Sequence, residues 1–314
     1  MNRRKFITGT SVLAIGSSIL PSGITSAASL SKKDALLFAF LSDVHVKPTP
    51  AAEAGMRKAF RHLNALKRKP EFVINGGDAI MDALAADKAK TQGQWDVWNR
   101  VLDSENKLPI YHVIGNHDAW GWQLKDQSIK TDPLYDKGWV LKQHQMPGRY
   151  YAFEQKRWKF LILDSAHENN GGYIARIDEP QYAWLEQELK NTSPDQHICL
   201  VSHIPIVSFC AAMFTDENQA NGDWRISRAL LHTDARRLTA LFSNYKNIRC
   251  CLSGHIHLQD AVEYKGIQYY CNGAVSGNWW GGAFKGFDPA YALFTFHKDG
   301  RVEREIVEYS EAER

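Results

Sequence analysis

Histidine, aspartate and asparagine gather in five short segments: Ser42-Asp43-Val44-His45, Asn75-Gly76-Gly77-Asp78, Gly115-Asn116-His117-Asp118, Ser202-His203 and Ser253-Gly254-His255-Ile256-His257. Five of the twelve histidines of the chain fall in them. Any one of these segments alone reads more readily as a turn or a solvated polar group than as a ligand set. Together they offer carboxylate, amide and imidazole donors without a thiolate, a mixture that suits hard to borderline divalent metals such as Mn, Fe or Zn. Such donors, with one of them able to bridge, suffice for two ions with room at each for water or substrate.

A repeated arrangement of elements must place these segments. Each follows a short apolar run, at residues 36–41, 72–74, 110–114, 198–201 and 250–252, and a further run at 160–163 leads into Asp164-Ser165. Such runs read as strands buried on both faces. Between them, Glu53 to Lys69 spaces Met56, Phe60, Leu63 and Leu66 at helical intervals, with Arg57, Lys58, Arg61 and Lys67 elsewhere, and 179–190 and 234–245 repeat the pattern. Strands alternating with helices predict an α/β domain. In an open α/β sheet, side chains delivered to the carboxyl ends of the strands converge on the crevice where ligands bind. No internal repeat, heptad run, low-complexity stretch or Pro/Ser-rich linker divides the chain.

The composition bounds the rest. With 314 residues, 44% of them hydrophobic, the chain can bury a large core, which excludes disorder and collagen-like repeats. Its formal net charge of +3 is far from the basic excess of a phosphate-backbone binder, so bulk nucleic acid is not an expected partner. Arg3, Arg4 and Lys5 account for that whole excess. They open a segment that continues through a weakly apolar run to Ser26-Ala27-Ala28, and it reads as a secretory signal over residues 1–28. Its paired arginines before Lys5-Phe6-Ile7 look like a twin-arginine address, read by a receptor that exports folded proteins, with an ordinary Sec signal as the alternative. The run is too short and polar to span a bilayer. The expected location is therefore exported, periplasmic or extracellular, with membrane contact only through the export machinery. Five cysteines without a C-x-x-C pair suggest buried thiols rather than a disulfide framework.

The ordered set Asp43-x-His45, Gly77-Asp78, Gly115-Asn116-His117-Asp118, His203 and Gly254-His255-x-His257 resembles the calcineurin-like metallophosphoesterase family, over roughly residues 35 to 260. Leu163-Asp164-Ser165, Gln181, Trp184-Leu185-Glu186 and Leu189 are also similar to that family. The resemblance implies a four-layer αββα sandwich of two mixed β-sheets flanked by helices, so some strands should have antiparallel neighbours. It implies one metal held by Asp43, His45, Asp78 and His257 and a second by Asp78, Asn116, His203 and His255, with Asp78 bridging. In such a centre two cations about 3.5–4 Å apart clamp the attacking and leaving oxygens of an in-line displacement at phosphorus. A water between them becomes hydroxide near neutral pH. The resemblance gives His117 the part of stabilising or protonating the leaving oxygen, with Asp118 orienting it, a contribution of about 10²–10⁴-fold.

The expected function is hydrolysis of a small phosphorylated substrate, a phosphomonoester or phosphodiester, by a domain over residues 29–314. A pyrophosphatase acting on a nucleotide- or lipid-linked envelope metabolite and a non-catalytic metal-stabilised interaction module are the alternatives. Purple acid phosphatases place tyrosine three residues after the bridging aspartate and lack the first-motif histidine; here Met81 and His45 stand there, against a ferric tyrosinate site. Only about 55 residues follow His257, too few for the substrate domain of secreted 5′-nucleotidases. Many cyclic-nucleotide phosphodiesterases carry an acidic residue where Met81 stands, and Asp82 lies one further on. Three regions offer a substrate rim: Trp120-Gly121-Trp122 through Trp139, the segment 208–225, and a C-terminal loop from about 272 with Trp279-Trp280. The tryptophans either stack on a base or sugar, close as a lid, or plug the edge of the sandwich. The last stretch, Tyr291 to Tyr309, reads as a hairpin completing a sheet.

Overall fold

Six consecutive apolar residues, Leu36–Leu41, form β1, buried on both faces. Leu36, Phe38 and Phe40 enter one core and Leu37, Ala39 and Leu41 another, as a period of two requires. The computed structural model describes residues 35–214 and 222–309, and the signal assigned to residues 1–28 lies outside them. In the first sheet β1 lies parallel to β2 (Val73–Asn75), and β2 to β3 (Ile110–His112).

The second sheet has four parallel inner strands, β5 (Trp158–Leu163), β8 (His197–Ser202), β9 (Ile248–Ser253) and β11 (Ile267–Asn272). Its edges are antiparallel, β4 (Tyr151–Gln155) on β5 and β10 (Gln259–Tyr264) on β11. The hairpin β12 (Ala290–Phe296) and β13 (Val302–Glu308) runs antiparallel on the free side of β1, giving the first sheet the order β13-β12-β1-β2-β3. Both sheets are thus mixed. A separate hairpin pairs β6 (Ala166–Asn169) with β7 (Gly172–Ala175).

The sheets face each other across an aromatic core, where Phe38 stacks on Phe72 at 4.9 Å and meets Phe160 of the opposite sheet edge-on at 5.4 Å. The outer face of the first sheet packs on α1 (Pro50–Ala65), α2 (Lys88–Glu105) and α3 (Gly138–Gln143), through Met56, Phe60, Trp95, Trp98 and Trp139. The outer face of the second packs on α4 (Glu179–Asn191) and α6 (Ala235–Phe242), through Leu185, Leu189, Leu238 and Phe242. A short α5 (Cys210–Met213) follows β8. The result is the αββα layering, and all five cysteines are buried free thiols within it.

The helix expected over residues 53–69 starts earlier and ends sooner. Pro50 takes the first turn, where its missing N–H costs nothing, and the helix stops at Ala65, ahead of Pro70. The helix α2 has no counterpart in the sequence reading. Its buried positions mix Thr91 and Gln94 with Trp95, Val97, Trp98 and Val101, which blurs the apolar stripe. Asp87 caps it, its side chain accepting from the Lys90 N–H.

Candidate metal centre

Five strands end on one rim of the sandwich. After β1 the chain continues to Asp43 and His45, whose N–H groups donate to the carbonyls of Gly77 and Asp78 beyond β2, at 3.0 Å each. The loop beyond β3 carries Asn116, His117 and Asp118, while β8 leads to His203 and β9 to His255 and His257. Asp43, His45, Asp78, His255 and His257 all have left-handed backbone, with φ between 47° and 71°. Non-glycine residues rarely adopt it, and strain of this kind collects where surrounding structure fixes a functional side chain. Two glycines permit the closeness of the loops. A Cβ on Gly115 would run into the backbone and carboxylate of Asp78, and one on Gly254 into the side chains of Ser42 and Asp43.

The side chains form two buried triads, Asp43, His45 and His257 beside Asp78, His203 and His255, each with one donor atom within 4.8 Å of the other two. Most of these groups are tied at the atom that faces away from the centre. His203 Nδ1 donates to the Gly76 carbonyl at 2.8 Å, His257 Nδ1 to Gly277 at 2.6 Å and His255 Nε2 to Ala229 at 2.9 Å. Asp43 Oδ2 accepts from Ser42 Oγ at 2.6 Å and from the His255 N–H at 2.9 Å, and Asp78 Oδ1 accepts from the His117 N–H at 2.8 Å. This is how backbone and side-chain partners orient metal-binding histidines and carboxylates. Inward stand Asp43 Oδ1, His45 Nε2 and His257 Nε2 on one side, and Asp78 Oδ2, His203 Nε2, His255 Nδ1 and Asn116 Oδ1 on the other. Asp78 Oδ2 reaches both triads, 3.1 Å from His203 Nε2 and 3.6 Å from His45 Nε2.

The charges bear on what these atoms can hold. Burial alone would raise the Asp43 carboxyl, but the histidines around it, His257 foremost, hold it down at about 2. Its Oδ1 is therefore an ionised oxygen, buried, without a hydrogen-bond partner. Such an atom is costly unless a cation meets it. Burial drives His45 and His255 down to about 3, leaving neutral imidazoles with lone pairs to offer. At His203 burial acts in the same direction, but Asp78 outweighs it and lifts the imidazole to about 9. A proton there neutralises the pair, and a divalent cation bound to both would displace it. The donor set thus fits two divalent ions of the oxygen- and nitrogen-preferring kind.

His117 differs from the other eight residues singled out by the sequence: it alone is half-exposed, and the rest are buried. Its ring lies 5.1 Å from that of His45. Burial lowers its pKa, but Asp78 and Asp82 together raise it above the ordinary histidine value. The residue beside it is Asp82, with Oδ1 3.5 Å from His117 Nδ1, and not Asp118 as the sequence led us to expect. Asp118 turns inward and accepts four backbone N–H bonds, from Asp78 and Gly115 on Oδ2 and from Ala79 and Ile80 on Oδ1. It fastens the loop after β2 to the loop after β3. Burial and the Asp78 charge push it up to about 7, against four donors that favour its ionised form. Only the position of Asp82 one residue past Met81 marked it in the sequence.

Other neighbours were less legible. The ring of Tyr173, on β7, meets the His255 ring edge-on at 6.0 Å. Ser165 Oγ accepts from the Ile204 N–H beside His203, while the buried Lys137 and the half-buried Arg149 pair with Asp164 at 2.6 Å each. Trp120, Trp122 and Trp139, expected at a rim, are buried, and the indoles of the first two donate to Ala86 and Asp136. Trp120 and Trp139 join the core on the outer face of the first sheet, and Trp122 packs with Ala166 and Ala175 of the separate hairpin. Trp279 stands 4.4 Å from His257 and 5.9 Å from His45.

A four-layer sandwich with two oxygen- and nitrogen-lined triads at one end defines a dinuclear-type metallophosphoesterase framework. The chain belongs to the calcineurin-like phosphoesterase family, whose model matches residues 36–259. It is 21% identical over 221 residues to the serine/threonine-protein phosphatase CPPED1 of Danio rerio, covering 70% of this chain and 64% of the relative. It is 25% identical over 196 residues to a probable glycerophosphodiester phosphodiesterase, GpdQ, of Arcobacter nitrofigilis, covering 62% and 60%. The chain thus spans less than two thirds of the length of either relative. The fold is similar to a crystal structure of a dimetal phosphatase from Danio rerio, with a TM-score of 0.58 at 16% identity, covering 88% of this chain and 99% of that one.

Proposed function

We infer that the chain is an exported, metal-dependent phosphoesterase that hydrolyses a small phosphomonoester or phosphodiester. The observation that carries this reading is the pair of buried triads with Asp78 Oδ2 between them and a single half-exposed imidazole, His117, at their edge. Bound divalent cations supply Lewis acidity for the phosphoryl oxygens and a water-derived nucleophile at neutral pH. Asp43, His45, Asp78 and His257 would hold one, and Asp78, Asn116, His203 and His255 the other. The oxygen and nitrogen donors suit Mn, Fe or Zn.

His117 presents a proton to the leaving oxygen, and the Asp82 carboxylate beside it favours the protonated imidazole. Relatives named for phosphatase and phosphodiesterase activity support an ester of phosphoric acid as the substrate. Export rests on the basic, twin-arginine-like start of the chain, and the balanced charge beyond it argues for a small substrate rather than bulk nucleic acid. The decisive experiment loads the protein in turn with Mn, Fe, Zn and Mg and assays an aryl phosphomonoester and an aryl phosphodiester. Turnover of either supports the reading, and inactivity with every metal refutes it. Export is checked by fusing residues 1–28 to a reporter that is active only when translocated folded; no export, or export unaffected by replacing Arg3 and Arg4 with lysine, counts against the twin-arginine route.

A further inference from the structure

One loop, residues 275–280, holds every member of the first triad. Ser276 donates to the Asp43 carbonyl through N–H and Oγ at 3.1 and 2.7 Å, the Gly277 carbonyl accepts from His257, and Trp280 Nε1 donates to the His45 carbonyl at 3.1 Å. Within that loop Trp279 and Trp280 are both left-handed, with φ of 46° and 73°, a conformation unfavourable for bulky residues. At Trp280 the surroundings explain it: the indole is hydrogen-bonded, and its ring covers Gly55 so closely that a Cβ there would collide with it. Trp279 has neither compensation. It is half-exposed, its N–H has no hydrogen bond among the described residues, and its ring is held over His257 at 4.4 Å.

The position of that ring relates it to His117. Both neighbour the ring of His45, which stands 5.1 Å from His117 and 5.9 Å from Trp279. Phe284 stands 5.4 Å from Trp279 and 5.9 Å from His257, and Phe214 5.9 Å from Phe284, so aromatic side chains continue from the metal centre past Trp279. His117 and Trp279 therefore flank the same imidazole, which places the indole within reach of the organic group of a phosphoester whose leaving oxygen meets His117. We propose that Trp279, backed by Phe284, is the wall on which the organic group of the substrate lies, so that the site selects esters of apolar, planar groups over esters of small polar alcohols. The proposal rests on the phosphoester reading above. Such a group leaves water as it covers the half-exposed indole, and stacking on an aromatic side chain is worth about tenfold or more in affinity.

The test is binding by calorimetry to the metal-loaded protein, using 1-naphthylphosphonate and methylphosphonate, which cannot turn over. The native protein is expected to prefer the naphthyl compound by about tenfold or more. Trp279→Ala should abolish the preference while changing methylphosphonate affinity less than twofold and retaining the native metal content, and Trp279→Phe should keep most of it. Equal affinity of the native protein for both compounds, or an equal loss of both in Trp279→Ala with metal retained, overturns the proposal. If Trp279→Ala loses metal, Phe284→Ala decides: a preference reduced about threefold supports the wall, and an unchanged one refutes it. Failure of both phosphonates to bind would overturn the phosphoester reading itself, and the proposal with it.

Discussion

Replacing Asp118 with asparagine separates two roles that adjacency in sequence confuses. The side chain is fully buried and accepts four backbone N–H bonds, three at 2.9 Å and one at 3.3 Å, two on each oxygen. Asparagine keeps one oxygen, and so two of the four. Its amide nitrogen then faces the other two N–H groups, donor against donor, and flipping the amide only exchanges which pair is lost. Leaving a buried donor unsatisfied costs about 1–3 kcal/mol, so Asp118→Asn should destabilise the protein by about 2–6 kcal/mol, a large part of a typical domain's 5–15 kcal/mol. Urea denaturation of metal-loaded and metal-free protein reads this directly. Because the loops tied together carry Asp78 and Asn116, metal affinity should weaken in parallel. A variant as stable as the native protein to within about 0.5 kcal/mol, with only turnover reduced, would refute the fastening role and return Asp118 to orienting His117.

Three further outcomes follow from the site and its surroundings. His117→Ala should retain both metals and lose about 10²–10⁴-fold in turnover, and Asp82→Asn should move the acidic group in the pH–rate profile downward; native turnover in His117→Ala refutes the acid role, and an unmoved profile the Asp82 contact. Asp78→Asn should cost both metals, because one oxygen faces both triads; two equivalents retained per chain by elemental analysis would rule out the bridge. Away from the site, burial holds His112 at about 3 and His144 well below the ordinary value of 6.5, their rings stacked at 3.8 Å. Since the folded values lie below the unfolded one, the unfolded chain takes up protons as pH falls under 6.5 and stability drops in that direction. His112 contributes about 2 kcal/mol between pH 7 and pH 5, and His144 acts in the same direction. His144→Phe should remove its share from the difference between urea denaturation curves at the two pH values, and an unchanged difference would contradict the burial argument.

The strands and their polar ends were readable because continuous apolar runs such as Leu36–Leu41 have few alternatives to a strand buried on both faces, and each ended in a residue that favours turns or ligands. The antiparallel edge strands were harder. In β10, Gln259–Tyr264, every residue is at least partly exposed, and no apolar run announces it. Composition could not sort the tryptophans, because an indole buried in a core and one that lines a cleft have the same local sequence. The buried Trp122 donates to the half-buried Asp136, and Trp279 finds His257 across a turn that no pattern encodes. His117 and Asp118 show the limit most plainly. Neighbouring side chains after a strand leave the backbone in different directions, so sequence adjacency is poor grounds for a hydrogen bond; the contact came from Asp82, thirty-five residues earlier, through the fold.

The buried thiols bear on how the molecule comes to be made. Cys199 and Cys250 face each other across β8 and β9 between the sheets, and Cys251 and Cys271 lie beside them in the same sheet, all sealed from solvent. Once folded, the protein is indifferent to oxidants that attack accessible thiolates. The unfolded chain has no such protection: its five thiols would be open to one another and to disulfide exchange, and any crosslink formed then would be incompatible with the packed interior. Refolding yield should therefore depend on reductant while the native protein's lifetime does not, and a chain that meets an oxidising compartment already folded avoids the hazard altogether.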